Sequence, residues 1–204
     1  TFPDIPAEIR APAGTIPGLS GYQVNFSSED LYTAGDSPQV LVAMNPAALK
    51  ANLPDLDAGG TIIVNTDTFS RNGLRKAGYE ANPLEGESLS GYDVHQVPLT
   101  TLTRNALEDI DGMSNQEKDK CKNAFALGLV FWMFDRPIDF TMKFYETKFA
   151  SRPEVVESNS RVLKAGYYYG ETAETFQTRI NVPSRQVVES GVYKRLTGNE
   201  AIVL

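Results

Sequence analysis

The N-terminal stretch is set by turn formers rather than by hydrophobic periodicity. Residues 3 to 21 carry Pro3, Pro6, Pro12, Pro17, Gly14, Gly18 and Gly21, a density that predicts an ordered surface loop. Tyr22-Gln23-Val24-Asn25-Phe26 then alternates with period two and reads as a strand. Val40-Leu41-Val42-Ala43-Met44 is a continuous apolar run of strand length, the form expected of a strand covered on both faces of a parallel sheet. Asn45-Pro46 follows, a capping side chain and a proline at the first helical position, and leads into Ala47-Ala48-Leu49-Lys50. The unit is strand, turn, helix. It begins again at Gly59-Gly60-Thr61-Ile62-Ile63-Val64-Asn65, where paired glycines predict a turn and the β-branched run a second buried strand with Thr66-Asp67-Thr68 as its polar exit.

Tyr92-Asp93-Val94-His95-Gln96-Val97 alternates cleanly and is closed by Pro98, which suits a half-exposed or edge strand. Ser114-Asn115-Gln116-Glu117 matches a capping box and predicts a long helix that turns apolar on every side through Trp132 and Met133 before Asp135-Arg136-Pro137 stops it. Two more helices are expected, over Asp139 to Phe149 and Pro153 to Tyr169, the second ending near Gly170. Strands alternating with helices predict an α/β fold: three-layer, Rossmann-like, with a mostly parallel sheet. Residues 172 to 193 are weakly periodic and read as a linker. The opening Thr1-Phe2-Pro3 reads like mid-domain loop and the apolar ending Ala201-Ile202-Val203-Leu204 lacks a cap, so a fragment truncated at its N-terminus and cut short at its other end is expected.

Composition narrows the chemistry. With 204 residues, 41% of them hydrophobic and 22% charged, the chain falls in the ordinary globular range and suffices for one sizeable core. Its net charge of -7 argues against a general nucleic-acid or anionic-membrane partner. The longest apolar run, the 11 residues Ala124 to Phe134, is roughly half of the ~20 needed to cross a bilayer and reads as a buried helix. A single cysteine, Cys121, leaves no internal disulfide and no Cys-rich metal site carried by this chain alone, and suits a reducing, cytoplasmic setting. His95 is the sole histidine, which excludes multi-His sites.

Ligands of open α/β sheets bind at the carboxyl ends of the strands, which directs attention to Asn45, Asn65, Thr66, Asp67, Thr100 and Thr101. Each also has a structural reading, as helix cap or turn former. Glu8-Ile9-Arg10 places opposite charges among conformational restrictors, so Arg10 could clamp a phosphate or carboxylate, or simply pair with Glu8. His95 and Cys121 read as packed side chains, and Tyr167-Tyr168-Tyr169 as helix-end packing. No G-x-G-x-x-G follows a strand and no P-loop lysine motif appears. The residues alone therefore support a nucleotide-type α/β domain without a catalytic set.

Pro6-Ala7-Glu8-Ile9-Arg10-Ala11-Pro12-Ala13-Gly14, Asn45-Pro46-Ala47-Ala48-Leu49-Lys50 within Val40 to Leu53, and Gly59 to Asn65 together resemble the gamma-type domain of 2-oxoacid:ferredoxin oxidoreductases. The likeness is nearest to the alpha subunit of the 2-oxoglutarate enzymes, where this domain precedes a thiamine-pyrimidine-binding domain. Asn123-Ala124-Phe125-Ala126-Leu127-Gly128 with Trp132, Leu163-Lys164-Ala165-Gly166 and Tyr169-Gly170-Glu171-Thr172 extend it over about residues 1 to 172. The resemblance implies a gamma-type domain over 1–171, a linker over 172–193 and the start of the second domain over 194–204, opening at Thr197-Gly198-Asn199-Glu200-Ala201. It further implies an enzyme that oxidatively decarboxylates a 2-oxoacid to its acyl-CoA and passes two electrons to ferredoxin. Thiamine diphosphate, Mg and an iron–sulfur cluster would then lie in the complete complex with a beta subunit rather than in this chain. Gamma-type domains are associated with coenzyme A binding and assembly, and Glu8, Arg10, Asn45 and Asn65 are the candidate cofactor-binding residues carried over, with no catalytic or metal-binding residue. The family's domain begins with a strand and Gly-rich turn that precede the loop opening this chain, so a diphosphate cradle formed there would be missing. A non-catalytic assembly module, or the same chemistry on pyruvate, a branched-chain 2-oxoacid or indolepyruvate, remain open readings.

Overall fold

The structure is a computed structural model and describes residues 2–4, 20–28, 31, 35, 37–173, 179–183 and 202. A two-stranded antiparallel ribbon pairs β1 (Phe2–Asp4) with β2 (Gln23–Asn25). The loop expected from residue 3 thus starts as a strand. A parallel three-stranded sheet follows in the order β3 (Val40–Ala43), β4 (Thr61–Asn65), β5 (Asp93–Val97). Between β3 and β4 lies α1 (Pro46–Asn52), and between β4 and β5 lies α2 (Arg71–Lys76). Five further helices succeed β5: α3 (Leu99–Ala106), α4 (Asn115–Lys120), α5 (Lys122–Met133), α6 (Asp139–Lys148) and α7 (Pro153–Thr172).

Side-chain alternation along the sheet produces two cores. Ile62 and Val64 of β4 join Ala43, Leu49, Leu56 and Phe69 on the side of α1 and α2. Ile63, between them in sequence, joins Val97, Leu99, Phe125, Leu129 and Leu163 on the side of α3, α5 and α7. The arrangement is the expected α/β one, with helices on both faces of the parallel sheet. At the turn into β4, Gly59 takes a left-handed φ of +77°, open to glycine without the strain a side chain would bring.

β3 meets both cores as its apolar run predicts, Val40 and Val42 packing on the side of α3, α5 and α7 and Leu41 and Ala43 on the side of α1 and α2. Among the described residues it pairs only with β4, whereas β4 is paired on both sides. An apolar run cannot distinguish the two, since the difference lies in the neighbours. The long helix expected from Ser114 is corrected to two. Its capping box is present, with Ser114 Oγ accepting from Glu117 N and Glu117 reaching back to Ser114 N at 2.9 Å. At Cys121 the backbone tightens: Cys121 N donates to Lys118 O at 3.0 Å and Ala124 N to Cys121 O at 2.8 Å, three-residue closures that separate the polar α4 from the apolar α5. Arg104 of α3 grips Asp119 with two hydrogen bonds of 2.6 and 2.7 Å, fixing α4 and holding the Asp119 carboxyl below its usual pKa.

α5 and α7 meet backbone to backbone. A Cβ at Gly166 would strike Phe125 O and come within 3.0 Å of Phe125 Cα, and one at Gly128 would strike Leu163 O. Gly170, expected near the helix end, lies in the last turn of α7, and its bare backbone packs against the Trp132 indole, 2.6 Å from where a Cβ would stand. Close approach and helix termination both call for glycine, so the sequence leaves the two uses alike. Residues 172–173 and 179–183 of the expected linker are described. Ile180 N donates to Met133 O at 2.7 Å, Arg136 donates to Val182 O at 3.0 Å, and the Arg179 guanidinium lies 4.9 Å from the Trp132 ring centre. The stretch is tied to the end of α5. Apart from Ile202, the expected second-domain start lies outside the described residues. Among the described residues no helix is long and apolar enough to cross a membrane.

Replacing Gly166 by Ala should cost about 2 kcal/mol net, since over-packing near its upper range of about 3 exceeds the roughly 1 kcal/mol gained in helix propensity. Gly86→Ala, which meets nothing within 4 Å, serves as the control, and its thermal midpoint should barely move. Equal midpoints for both variants would show that the α5–α7 contact is not the tight one described.

Candidate functional site

The parallel sheet aims the ends of β3, β4 and β5 at one edge, and the polar residues singled out there do converge. At the end of β3, Asn45 stands as N-cap of α1, its side-chain oxygen accepting from Ala48 N at 2.8 Å. Pro46 occupies the first helical position and has no N–H to offer. At the end of β4, Asn65 is fully buried and donates through Nδ2 to Thr100 Oγ1 at 3.1 Å and, at 3.5 Å, to the carbonyl of Met44, the residue before Asn45. Its Oδ1 is buried and has no hydrogen-bond partner. Leaving such an oxygen unmet costs about 1–3 kcal/mol, so Asn65 is placed there against its own solvation preference.

The turn after β4 continues the network. Thr68 Oγ1 reaches Met44 O at 3.1 Å and Asn65 O at 2.8 Å, tying the exits of β3 and β4 together. Asp67 reaches the start of α3, where its carboxylate accepts from Thr101 N at 2.7 Å and from Thr101 Oγ1 at 2.9 Å. α3 has no cap from its own preceding residue, Pro98, so Asp67 supplies one from across the edge. The result is a ring of short polar side chains joining three strand ends, carrying one carboxylate and no cation.

Asn45 and Asn65 are therefore brought together, while Glu8 and Arg10 lie outside the described residues. His95 is buried on β5 with Nε2 3.0 Å from Asp93 Oδ2, and Cys121 is buried at the α4–α5 step, where desolvation pushes its thiol pKa up and makes it a poor nucleophile. The sequence reading passed over Arg71 and Arg75, which line a cavity beside α2. Their four-residue spacing behind the Ser70 cap was the available signal.

The fold and its edge define an α/β domain with a polar rim at the strand ends, the place where open α/β sheets take their ligands. The family of pyruvate ferredoxin/flavodoxin oxidoreductases matches residues 1–169, and the chain belongs to that family. It is 50% identical over 202 residues to the 2-oxoglutarate oxidoreductase subunit KorA of Mycobacterium tuberculosis, covering 99% of this chain and 31% of the relative. Over 66 residues it is 39% identical to the 2-oxoglutarate synthase subunit KorC of Methanothermobacter marburgensis, covering 32% of this chain and 36% of that one. The chain thus spans about a third of the length of these curated relatives. A solved 2-oxoglutarate:ferredoxin oxidoreductase from Magnetococcus marinus, with 2-oxoglutarate, coenzyme A and succinyl-CoA bound, shares the fold at a TM-score of 0.55 and 19% identity, over 76% of this chain and 24% of that one.

Asp67→Ala should lower stability by about 1 kcal/mol, the usual worth of an N-cap, whereas Asp67→Asn keeps an accepting oxygen and should lose only a fraction of that. Denaturant midpoints of the two variants check this. An unchanged Asp67→Ala midpoint would remove the cross-edge cap from the account.

Proposed function

We propose that this chain is part of the alpha subunit of a 2-oxoglutarate:ferredoxin oxidoreductase and that it serves coenzyme A binding and subunit assembly. The observation that carries the reading is the 50% identity to the KorA subunit along essentially the whole chain. In the reaction, a 2-oxoacid loses CO2, its acyl carbon forms a thioester with the sulfur of coenzyme A, and the two electrons released pass to ferredoxin. Thiamine diphosphate, Mg and the iron–sulfur cluster belong, on this reading, to the second domain and the beta subunit. Residues 1–171 form the binding and assembly unit, 172–193 connect it onward, and 194–204 open the thiamine-pyrimidine-binding domain. A cytoplasmic setting accompanies this chemistry. The two curated relatives are both named for 2-oxoglutarate, which favours that substrate over pyruvate, branched-chain 2-oxoacids and indolepyruvate.

The carboxyl edge fits one part of coenzyme A and not another. Asn and Thr side chains suit the neutral amides of its pantetheine arm. A diphosphate fits poorly there. Asn45 already fills the helix start, Pro46 brings no donor, and Asp67 is anionic. The diphosphate needs a cation from elsewhere, and Arg10 is the candidate, with Glu8 as its orienting partner. Titrating coenzyme A into the intact subunit should give an affinity about ten-fold weaker for Arg10→Ala, the worth of a charge-assisted contact. Equal affinities would remove Arg10 from the site.

A specific feature supports the assembly role as well. α6 buries none of its residues, and Phe140 and Phe144, one turn apart, are 78% and 53% exposed. The joint variant Phe140→Ala/Phe144→Ala should weaken alpha–beta association in co-purification while leaving coenzyme A affinity unchanged. Unimpaired association would take the α6 face out of the assembly reading.

A further inference from the structure

Beyond the carboxyl edge, the backbone from α2 to residue 85 folds around a cavity of about 440 Å³, within the roughly 300–1,000 Å³ typical of small-molecule sites. Arg71 and Arg75, four residues apart on α2, both line it. Arg75 bonds the neutral Asn72 at 3.1 Å, which leaves its charge uncompensated. The ion pairs among the described residues join Arg104 to Asp119, Arg161 to Asp109 and Arg179 to Asp135, and include neither α2 arginine.

Two carboxylates line the same cavity without neutralising these cations. Glu85 is engaged by Asn82 Nδ2 at 2.9 Å, and Glu80 lies within ion-pair reach of neither guanidinium. Phe69 and Tyr79 supply aromatic wall, and Lys50, donating to Gly78 O, holds its ammonium 5.0 Å from the Tyr79 ring centre. Like charges one turn apart repel, and in a chain of net charge -7 carboxylates abundant enough to pair them are not used. The cavity thus presents forked donors for an anion, acceptors for hydroxyl or amino groups, and rings for a planar group.

We propose that this cavity binds a nucleotide, its phosphates on Arg71 and Arg75, its sugar hydroxyls on the glutamates and its base against the aromatic wall. A free nucleotide and the 3′-phosphoadenosine end of coenzyme A share this chemistry, the coenzyme's diphosphate being left to Arg10 on the reading above.

Calorimetric titration of ADP into the intact protein tests the assignment. Saturable binding is expected for the wild type, weakened at least about ten-fold in Arg71→Ala/Arg75→Ala, with adenosine binding comparably weakly to the wild type. Both arginines are exposed, so thermal midpoints should match and a folding defect would be visible. Failure of ADP to bind, equal ADP affinity in the variant, or competition by inorganic phosphate as effective as that of ADP would each overturn the proposal. Competition by coenzyme A assigns the site to that coenzyme, and its absence assigns it to a free nucleotide; both results keep the site. Loss of the Arg10 effect without loss of ADP binding would count against the coenzyme A reading of the carboxyl edge alone.

Discussion

Because Ile62 and Val64 point into one core and Ile63 into the other, β4 can slip by a residue only by exchanging its buried sets and breaking its pairing with both neighbours. Each of these side chains, fully or nearly fully buried, contributes about 1.5–3 kcal/mol relative to exposure, so the register is held strongly. That register decides where Asn65 falls. One residue beyond Val64, it occurs where the strand leaves the cores, and its amide reaches Met44 on one side and Thr100 on the other. The polar edge is thus a consequence of apolar packing in the strand that precedes it.

The edge binds itself before it binds anything else. Asn45 caps α1, Thr68 links the exits of β3 and β4, and Asp67 caps α3, which leaves the Asn65 Oδ1 as its unmet acceptor. Such self-satisfaction ties the three strand ends to one another. A nucleophile or general base would need a perturbed, solvent-reachable group, and the buried Cys121 with its raised pKa is the reverse of that.

The strand-turn-helix units were legible because their signals are local: an apolar run, a capping Asn, a proline at the first helical position, a paired-glycine turn. Placement within the sheet was not, since β3 and β4 have similar runs and differ in what lies beside them. The step at Cys121 escaped for a related reason, as the capping box marks where a helix begins and carries no information on where it breaks. The convergence of Asn45 and Asn65 follows from position alone, since each stands at the carboxyl end of a strand of one parallel sheet. Their bonds to Ala48 N and Thr100 Oγ1 depend on residues meeting across the fold. Arg71 and Arg75 were in plain sight, yet the cavity they line needs residues 79–85 to fold back, which no short pattern records.

Charge distribution constrains any anionic ligand of this chain. A net charge of -7 repels phosphates at long range, so the field of the whole molecule works against capture and the binding energy must come from short-range contacts. The carboxyl edge cannot provide them, having a carboxylate and neutral side chains, whereas α2 holds two guanidinium groups free of ion pairs a short distance along the chain from that edge. Binding there would be charge-assisted, local and weakened by salt. On the proposed readings, neutral amide recognition at the strand ends and anion recognition beside α2 would fall to separate residues, since the edge carries a carboxylate and no cation.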